Sequence, residues 1–173
     1  VSAFGGIVSC KFKITKTLAS ELSNIFLEVI VAIGFDSEAL QILKKKKNLR
    51  LIDASNFVIK NHIRFNSTND SILTQSEDLK TFSIKDFKIV SKIKPTESQL
   101  KNLIFAFNIC RHAKSNAIVL ASDNTTVGIG SGQPSRLDSC QIAIDKMNKF
   151  QNFEQDVVAA SDAFFPFIDG IEK

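Results

Sequence analysis

Asn116 stands at the head of the apolar run AIVLAS (117–122), where its side-chain amide can both donate and accept, a property suited to holding a ring that carries a carboxamide. The plain alternative for such an Asn is a capped turn. Lys114, two residues earlier on the same strand face, adds a cation or simply a solvated surface charge. GIGSGQPSR (128–136) then brings glycines, which allow close backbone approach, to the start of a helix, where N–H groups can meet an anion. Gly128, Gly130 and Gly132 fit neither GxxxxGK nor GxGxxG, so a nucleotide-phosphate loop is not supported by motif. Arg136, with the N–H of Leu137, reads as a donor pair for an oxygen that turns negative during acyl transfer; the alternative is an ion pair with Asp138 or another helix carboxylate. ASDAFFPF (160–167) sets Asp162 at a strand end and crowds Phe164, Phe165, Pro166 and Phe167 into a turn. In a cleft these rings would stack on a heterocycle such as a pterin or imidazole, with Asp169 bonding ring nitrogens, whereas in a core they would only pack.

Other reactive side chains argue against competing chemistries. Cys110 and His112 lie two apart on one predicted helix and so point to different faces, which disfavours a nucleophile–base pair. Cys10, Cys110 and Cys140 are widely spaced and form no CxxC, against a disulfide framework or structural zinc and in favour of a reducing cytoplasm. Neither H-x-E nor P-C-x-x-C occurs, so no metal is predicted. Residues 1–94 hold 15 Lys/Arg against 9 Asp/Glu, and the remainder 7 against 9. The densest basic run, Lys44 to Lys47, ends a predicted helix where cations suit the dipole, and it has no interleaved aromatics, so no nucleic-acid partner is expected. At 44% hydrophobic and 23% charged the composition is that of a soluble packed protein. No apolar run approaches the length of a membrane span, and no targeting leader opens the sequence, so no membrane partner is expected.

These residues must be carried by a layered scaffold. After a turn at SAFGG (2–6), IVSCKF reads as a strand, and Leu18, Leu22, Ile25 and Phe26 share one helical face. EVIVA (28–32) reads as a buried strand, Asp36 as the cap of a second helix, and LRLID (49–53) as another strand, which implies a sheet with helices packed on it. FVIKNHIRF, SILTQ and FSIKDFKIV read as β-type segments, broken by NSTND (66–70). SKIKPTESQ (91–99) is a linker in which Pro95, Thr96 and Gln99 start a helix with a capping box. That helix, Glu97 to His112, buries Leu100, Leu103, Ile104 and Phe107. NAIVLAS and TVGIGS pair through DNTT, a helix spans Asp138 to Phe150, and VVAAS (157–161) is a last strand. The organisation is thus α/β, with ligands expected at strand ends and helix starts.

KSNAIVLAS, GIGSGQPSR and ASDAFFPF, in this order and preceded by SAFGG and KKNLRLID (46–53), resemble the folate-dependent formyltransferase half of the bifunctional purine-biosynthesis enzymes, which formylates aminoimidazole carboxamide ribonucleotide (AICAR). The resemblance covers nearly the whole chain, weakest from Asn56 to Val90, and has the look of an internal fragment. It implies a cytidine deaminase-like α/β/α sandwich with a mixed sheet. Residues 1–94 would form a first such portion with a hairpin insertion, and 95–173 the truncated start of a second. It implies Asn116 and Arg136 as catalytic groups, with Asn116 orienting the carboxamide and the reacting amine. Phe4, Gly5, Glu28 and Phe164 are implied as substrate contacts, and Arg136, Leu137, Pro166, Phe167 and Asp169 as contacts to the co-substrate 10-formyltetrahydrofolate. A cytoplasmic homodimer is also implied. Pro134 departs from the family, which has Met or Gln there, and removes one loop N–H; Ile33 stands where the family has Pro. The family's Lys–His pair is matched by neither His62 nor His112, so the isolated polypeptide is expected to be inactive. Two rivals stand beside this reading. Phosphoryl transfer lacks a P-loop lysine and paired metal carboxylates. A non-catalytic binding or assembly module would bury Arg136 and Phe167 away from any cleft.

Overall fold

The computed structural model describes residues 4–58, 63–150, 156–168 and 172. The chain divides into two compact units at Glu77/Asp78, and it mixes a parallel sheet in the first with antiparallel pairing in the second.

In the first unit three parallel strands, β1 (Phe4–Cys10), β2 (Phe26–Ala32) and β3 (Arg50–Asp53), lie in sequence order. Parallel neighbours cannot be joined by a tight turn, so helices α1 (Lys16–Ser23) and α2 (Ser37–Leu43) fill the two connections. Ile14, Ala19, Leu27, Ile30, Ala32, Ala39 and Leu43 form the core where these helices meet the sheet. Several expectations are corrected here. Phe4 to Gly6 belong to β1, with a register irregularity, and are not a turn before it. Ile25 and Phe26 leave the helical face, because α1 stops at Ser23 with Asn24 capping it, and Phe26 opens β2. Asp36 occupies the cap position of α2 but makes no side-chain cap; its carboxylate pairs with Lys13 at 2.9 Å instead. The exposed hairpin β4 (Ile63–Ser67) and β5 (Ile72–Ser76) completes the unit.

In the second unit α3 (Glu97–Cys110), β6 (Ile118–Ser122), β7 (Thr125–Gly130), α4 (Arg136–Phe150) and β8 (Val158–Ser161) follow one another. The sheet order is β7-β6-β8, with β6 antiparallel to both neighbours. Every residue of β6 is buried, and its alternation sorts the two faces. Val119 and Ala121 pack towards α3, while Ile118 and Leu120 pack towards α4, so a helix covers each side of the sheet. The β6–β7 turn places Asp123 and Asn124 at φ 47° and 53°, the two positive angles that a two-residue hairpin of this twist requires.

The α3 start is as the sequence indicates: Thr96 Oγ1 accepts from the Gln99 amide at 3.2 Å, and Gln99 Oε1 accepts from the Thr96 amide at 2.9 Å. Its most deeply buried stripe is offset from the expected one. Asn102, Ala106 and Cys110 face inward, because small side chains let α3 approach the alanines of β6 and β8. Leu100, Leu103, Ile104 and Phe107 are half-buried and line a groove with residues from 87–91 and 93–95, and Leu103 and Phe107 also pack against this core as expected. FSIKDFKIV, expected as a strand, contains a 3-10 turn at Ile84–Asp86 fixed by the reciprocal capping of Ser83 and Asp86. Phe82 and Phe87 each meet Phe107 edge-on, at 5.0 and 5.1 Å between ring centres.

Candidate ligand cavity at the β6 head and the α4 start

The sheet of the second unit delivers three distant segments to one place. Asn116 lies two residues before the start of β6, residues 134–137 form the entry to α4, and residues 163–167 follow β8. Asn116, Pro134, Ser135, Arg136, Leu137, Phe164, Pro166 and Phe167 line a cavity of about 570 Å³ together with Ala163 and Phe165, a volume in the range of small-molecule sites.

Asn116 follows a cis Ser115–Asn116 peptide. Its Nδ2 donates to the carbonyls of Gln133 at 2.9 Å and Pro134 at 3.0 Å, while its own carbonyl accepts from Ser139 Oγ at 2.8 Å. Both amide hydrogens are therefore committed to the loop, and the function left to a ligand is that of the acceptor Oδ1. This narrows the expectation that the amide would both donate and accept.

Arg136 opens α4, and its side chain is only 12% exposed. It pairs with neither Asp138 nor another helix carboxylate. Its Nη1 lies 2.6 Å from Asp162 Oδ1 and its Nε donates to the Phe164 carbonyl at 3.3 Å. Among the described residues Nη2 has no partner, and Leu137 carries one of the first backbone N–H groups of α4, which have no intrahelical acceptor.

Asp162, immediately after β8, is not among the site residues expected from the sequence. Its carboxylate accepts from Ser115 Oγ, from the Ala117 amide at 3.1 Å and from Arg136. Burial pushes its carboxyl up, but the hydrogen bonds from Ser115 and Ala117 and the Arg136 charge outweigh this and hold it below the ordinary value of 3.8. The available signal was one acid and one base among otherwise neutral cavity segments.

The glycines have a different task from the expected anion cradle. A Cβ on Gly128 would lie 2.0 Å from the Ala143 carbonyl oxygen, and one on Gly130 would lie 1.9 Å from that of Ser139, so both admit the backbone of α4 against β7. Gly132, at φ +70°, makes the bend that follows. Its amide donates to the Lys114 carbonyl at 2.7 Å, and the Lys114 stem passes 3.7 Å from the place of its missing Cβ.

Phe164 and Phe167 are 80% and 72% exposed, so at least these two rings of the aromatic cluster are not core. Asp169, like His62, lies outside the described residues. Phe4, Gly5 and Glu28 come together in the first unit: Phe4 stacks on Phe26 with ring centres 4.4 Å apart, and a Cβ on Gly5 (φ +71°) would sit 2.9 Å from Glu28 Oε1.

Cys110 is poorly placed for nucleophilic attack. Its thiol is buried between β6 and β8, donates towards the carbonyls of Ala117 and Ala160, and is pushed up to about 11 by burial first and the Asp162 charge second, with Arg136 opposing. Among the described residues no three His, Cys, Asp or Glu side chains are grouped to hold a metal, and no helix is long and apolar enough to cross a membrane.

An α/β protein with a strand-end cavity, a helix start on one wall and exposed aromatic rings on another is of the kind that binds planar small molecules. The chain belongs to the AICARFT/IMPCHase bienzyme family, whose sequence profile matches residues 1–146. It is 42% identical over 174 residues to the bifunctional purine biosynthesis protein PurH of Lactobacillus acidophilus, and 43% identical over 173 residues to that of Oenococcus oeni. With the Aquifex aeolicus protein of the same name it shares 42% over 172 residues. Each comparison covers 99% of this chain, but 34%, 34% and 33% of the relatives, so the chain spans about a third of their length.

Proposed function

We propose that this chain is part of a folate-dependent formyltransferase that moves a formyl group from 10-formyltetrahydrofolate to the 5-amino group of AICAR in the synthesis of IMP. The observation that carries the reading is the convergence of Asn116, Arg136, Leu137, Phe164, Pro166 and Phe167, spread over 52 positions of sequence, on one cavity. The family description names two activities, and the cavity chemistry favours formyl transfer. A non-catalytic module would hide Arg136 and Phe167, yet both line the cavity and Phe167 is 72% exposed.

The amine of AICAR is delocalised into its ring and carboxamide, so it attacks poorly and must be held in place. Asn116 Oδ1 is the acceptor for the carboxamide or amine N–H. The folate supplies the formyl group, and its planar ring system suits the exposed faces of Phe164 and Phe167 beside Pro166. Arg136 Nη2 and the Leu137 N–H are the donors for the formyl oxygen as it becomes negative, at a helix start whose dipole favours that charge. Phe4, Gly5 and Glu28 are further nucleotide contacts, and Asp169 a folate contact. Residues 1–94 are a first deaminase-like portion and residues 95–173 the truncated start of a second, within a cytoplasmic homodimer. Proton removal falls to a Lys–His pair that this chain does not match, so the isolated polypeptide is inactive.

The test is a formyl-transfer assay on the full-length parent. Asn116→Ala should lower kcat/KM by about 100-fold or more, the scale for loss of one oriented polar contact to the reacting groups. Retention within about threefold would contradict the reading, whereas transfer by the isolated 173 residues would overturn only the inactivity of the isolated polypeptide.

A further inference from the structure

We infer that Asp162 is a positioning residue for formyl transfer, a single carboxylate that sets Arg136 and Asn116 in register with one another. The inference rests on the formyl-transfer reading and extends it to a residue that touches no proposed ligand atom. Asp162 Oδ1 takes both the Ala117 amide, at 3.1 Å, and Arg136 Nη1, at 2.6 Å, while Oδ2 takes the Ser115 hydroxyl. Its own amide donates to the Ala117 carbonyl at 3.2 Å. Asn116 is thus bracketed on both sides by residues bonded to Asp162, and the guanidinium across the cavity is bonded to the same oxygen as the Ala117 amide.

The arrangement matters because each proposed catalytic group is otherwise loosely determined. A long Arg side chain has many rotamers, and a guanidinium offers five donors in a rigid fork. Fixing Nη1 on Asp162 and Nε on the Phe164 carbonyl selects one orientation and leaves Nη2 as the uncommitted donor group. The side chains of Arg136 and Asp162 are only 12% and 15% exposed, so water does not readily replace either partner. Asp162 also begins the turn that carries Phe164 and Phe167, which ties the stacking wall to the polar one.

A merely structural staple would alter stability and leave the reacting geometry to recover in whatever folds. The positioning role is tested in the full-length parent with Asp162→Asn, Arg136→Ala, the double variant and Ser115→Ala. Asp162→Asn should lower kcat by about 10–100-fold, the cost of sub-ångström misplacement, with KM for the nucleotide changing less than about threefold. In the Arg136→Ala background the same change should cost less than about threefold, because its effect is transmitted through Arg136. Losses that multiply in the double variant, or a kcat for Asp162→Asn within about threefold of the unsubstituted parent, would overturn the inference. If Asp162→Asn does not fold, Ser115→Ala takes its place: a fall in kcat of about 3–10-fold, absent in the Arg136→Ala background, supports the role, and an unchanged kcat overturns it. A parent with no formyl transfer at all defeats the functional reading alone. The clasp is then judged by NMR: a slowly exchanging Arg136 Nε–H signal that is lost in Ser115→Ala supports it, and a signal exchanging as fast as that of a solvated Arg overturns it.

Discussion

Gly130→Ala separates packing from anion binding as the reason for the Gly-rich segment. The new Cβ would stand 1.9 Å from the Ser139 carbonyl oxygen and 2.7 Å from its carbon, both backbone atoms of α4. Reaching an ordinary contact of about 3.4 Å requires β7 and α4 to separate by about 1.5 Å, and no rotamer change can do this, because neither partner is a side chain. Overpacking of this kind costs about 3 kcal/mol, the upper part of its usual range, which corresponds to a fall on the order of 10 °C in the melting of a unit this size. Gly132→Ala is the internal comparison. Its Cβ would meet nothing nearer than the flexible Lys114 stem at 3.7 Å, so only the positive φ is penalised, by about 1 kcal/mol. The assay is denaturant unfolding followed by far-UV circular dichroism on the three proteins. Because Arg136 and Leu137 begin the displaced helix, formyl transfer by the full-length parent should fall as well. The reasoning is refuted if Gly130→Ala is no more destabilising than Gly132→Ala.

Phe164→Ala and Phe167→Ala should each change stability by no more than about 0.5 kcal/mol, since the rings are exposed, yet weaken binding to the parent by about tenfold in calorimetry, of AICAR for Phe164 and of the folate for Phe167. Asp162 has a folded-state pKa below its ordinary 3.8, so its contribution to stability is present above that value and is lost as pH falls through the folded pKa; acid unfolding should therefore lose part of its steepness below about pH 4 in Asp162→Asn. Cys110, with a thiol pushed up to about 11 and buried, should resist iodoacetamide at pH 8 in the folded protein and be labelled only on unfolding, as read by mass spectrometry; labelling in the native state would contradict the burial.

What the sequence made legible follows from how local each cause is. The Thr96–Gln99 capping box and the turn in DNTT that pairs NAIVLAS with TVGIGS depend on neighbours within a few residues, and both are present in the structure. The failures share the opposite property. Leu103 and Phe107 do pack against the core, but the most deeply buried face of α3 is set by the small residues Ala106 and Cys110 against Ala117, Ala121 and Ala160, which follow α3 in the chain. Gly128 and Gly130 looked like a ligand cradle because a glycine states only that something comes close, not what; here it is a helix backbone. Arg136 shows the same limit in electrostatic form: Asp138 is its near neighbour in sequence, whereas Asp162, 26 positions away, is its partner in space. The convergence of Asn116, Arg136 and the Phe cluster was legible only through the order of motifs in a resembling family, because no periodicity links them. The chemistry of the cavity is therefore better reasoned from the committed atoms than from the residue types. Asn116 offers an acceptor and not a whole amide, so a ligand that needs its two donors must displace the Gln133 and Pro134 carbonyls, and a ligand that takes the whole Arg136 fork must displace Asp162.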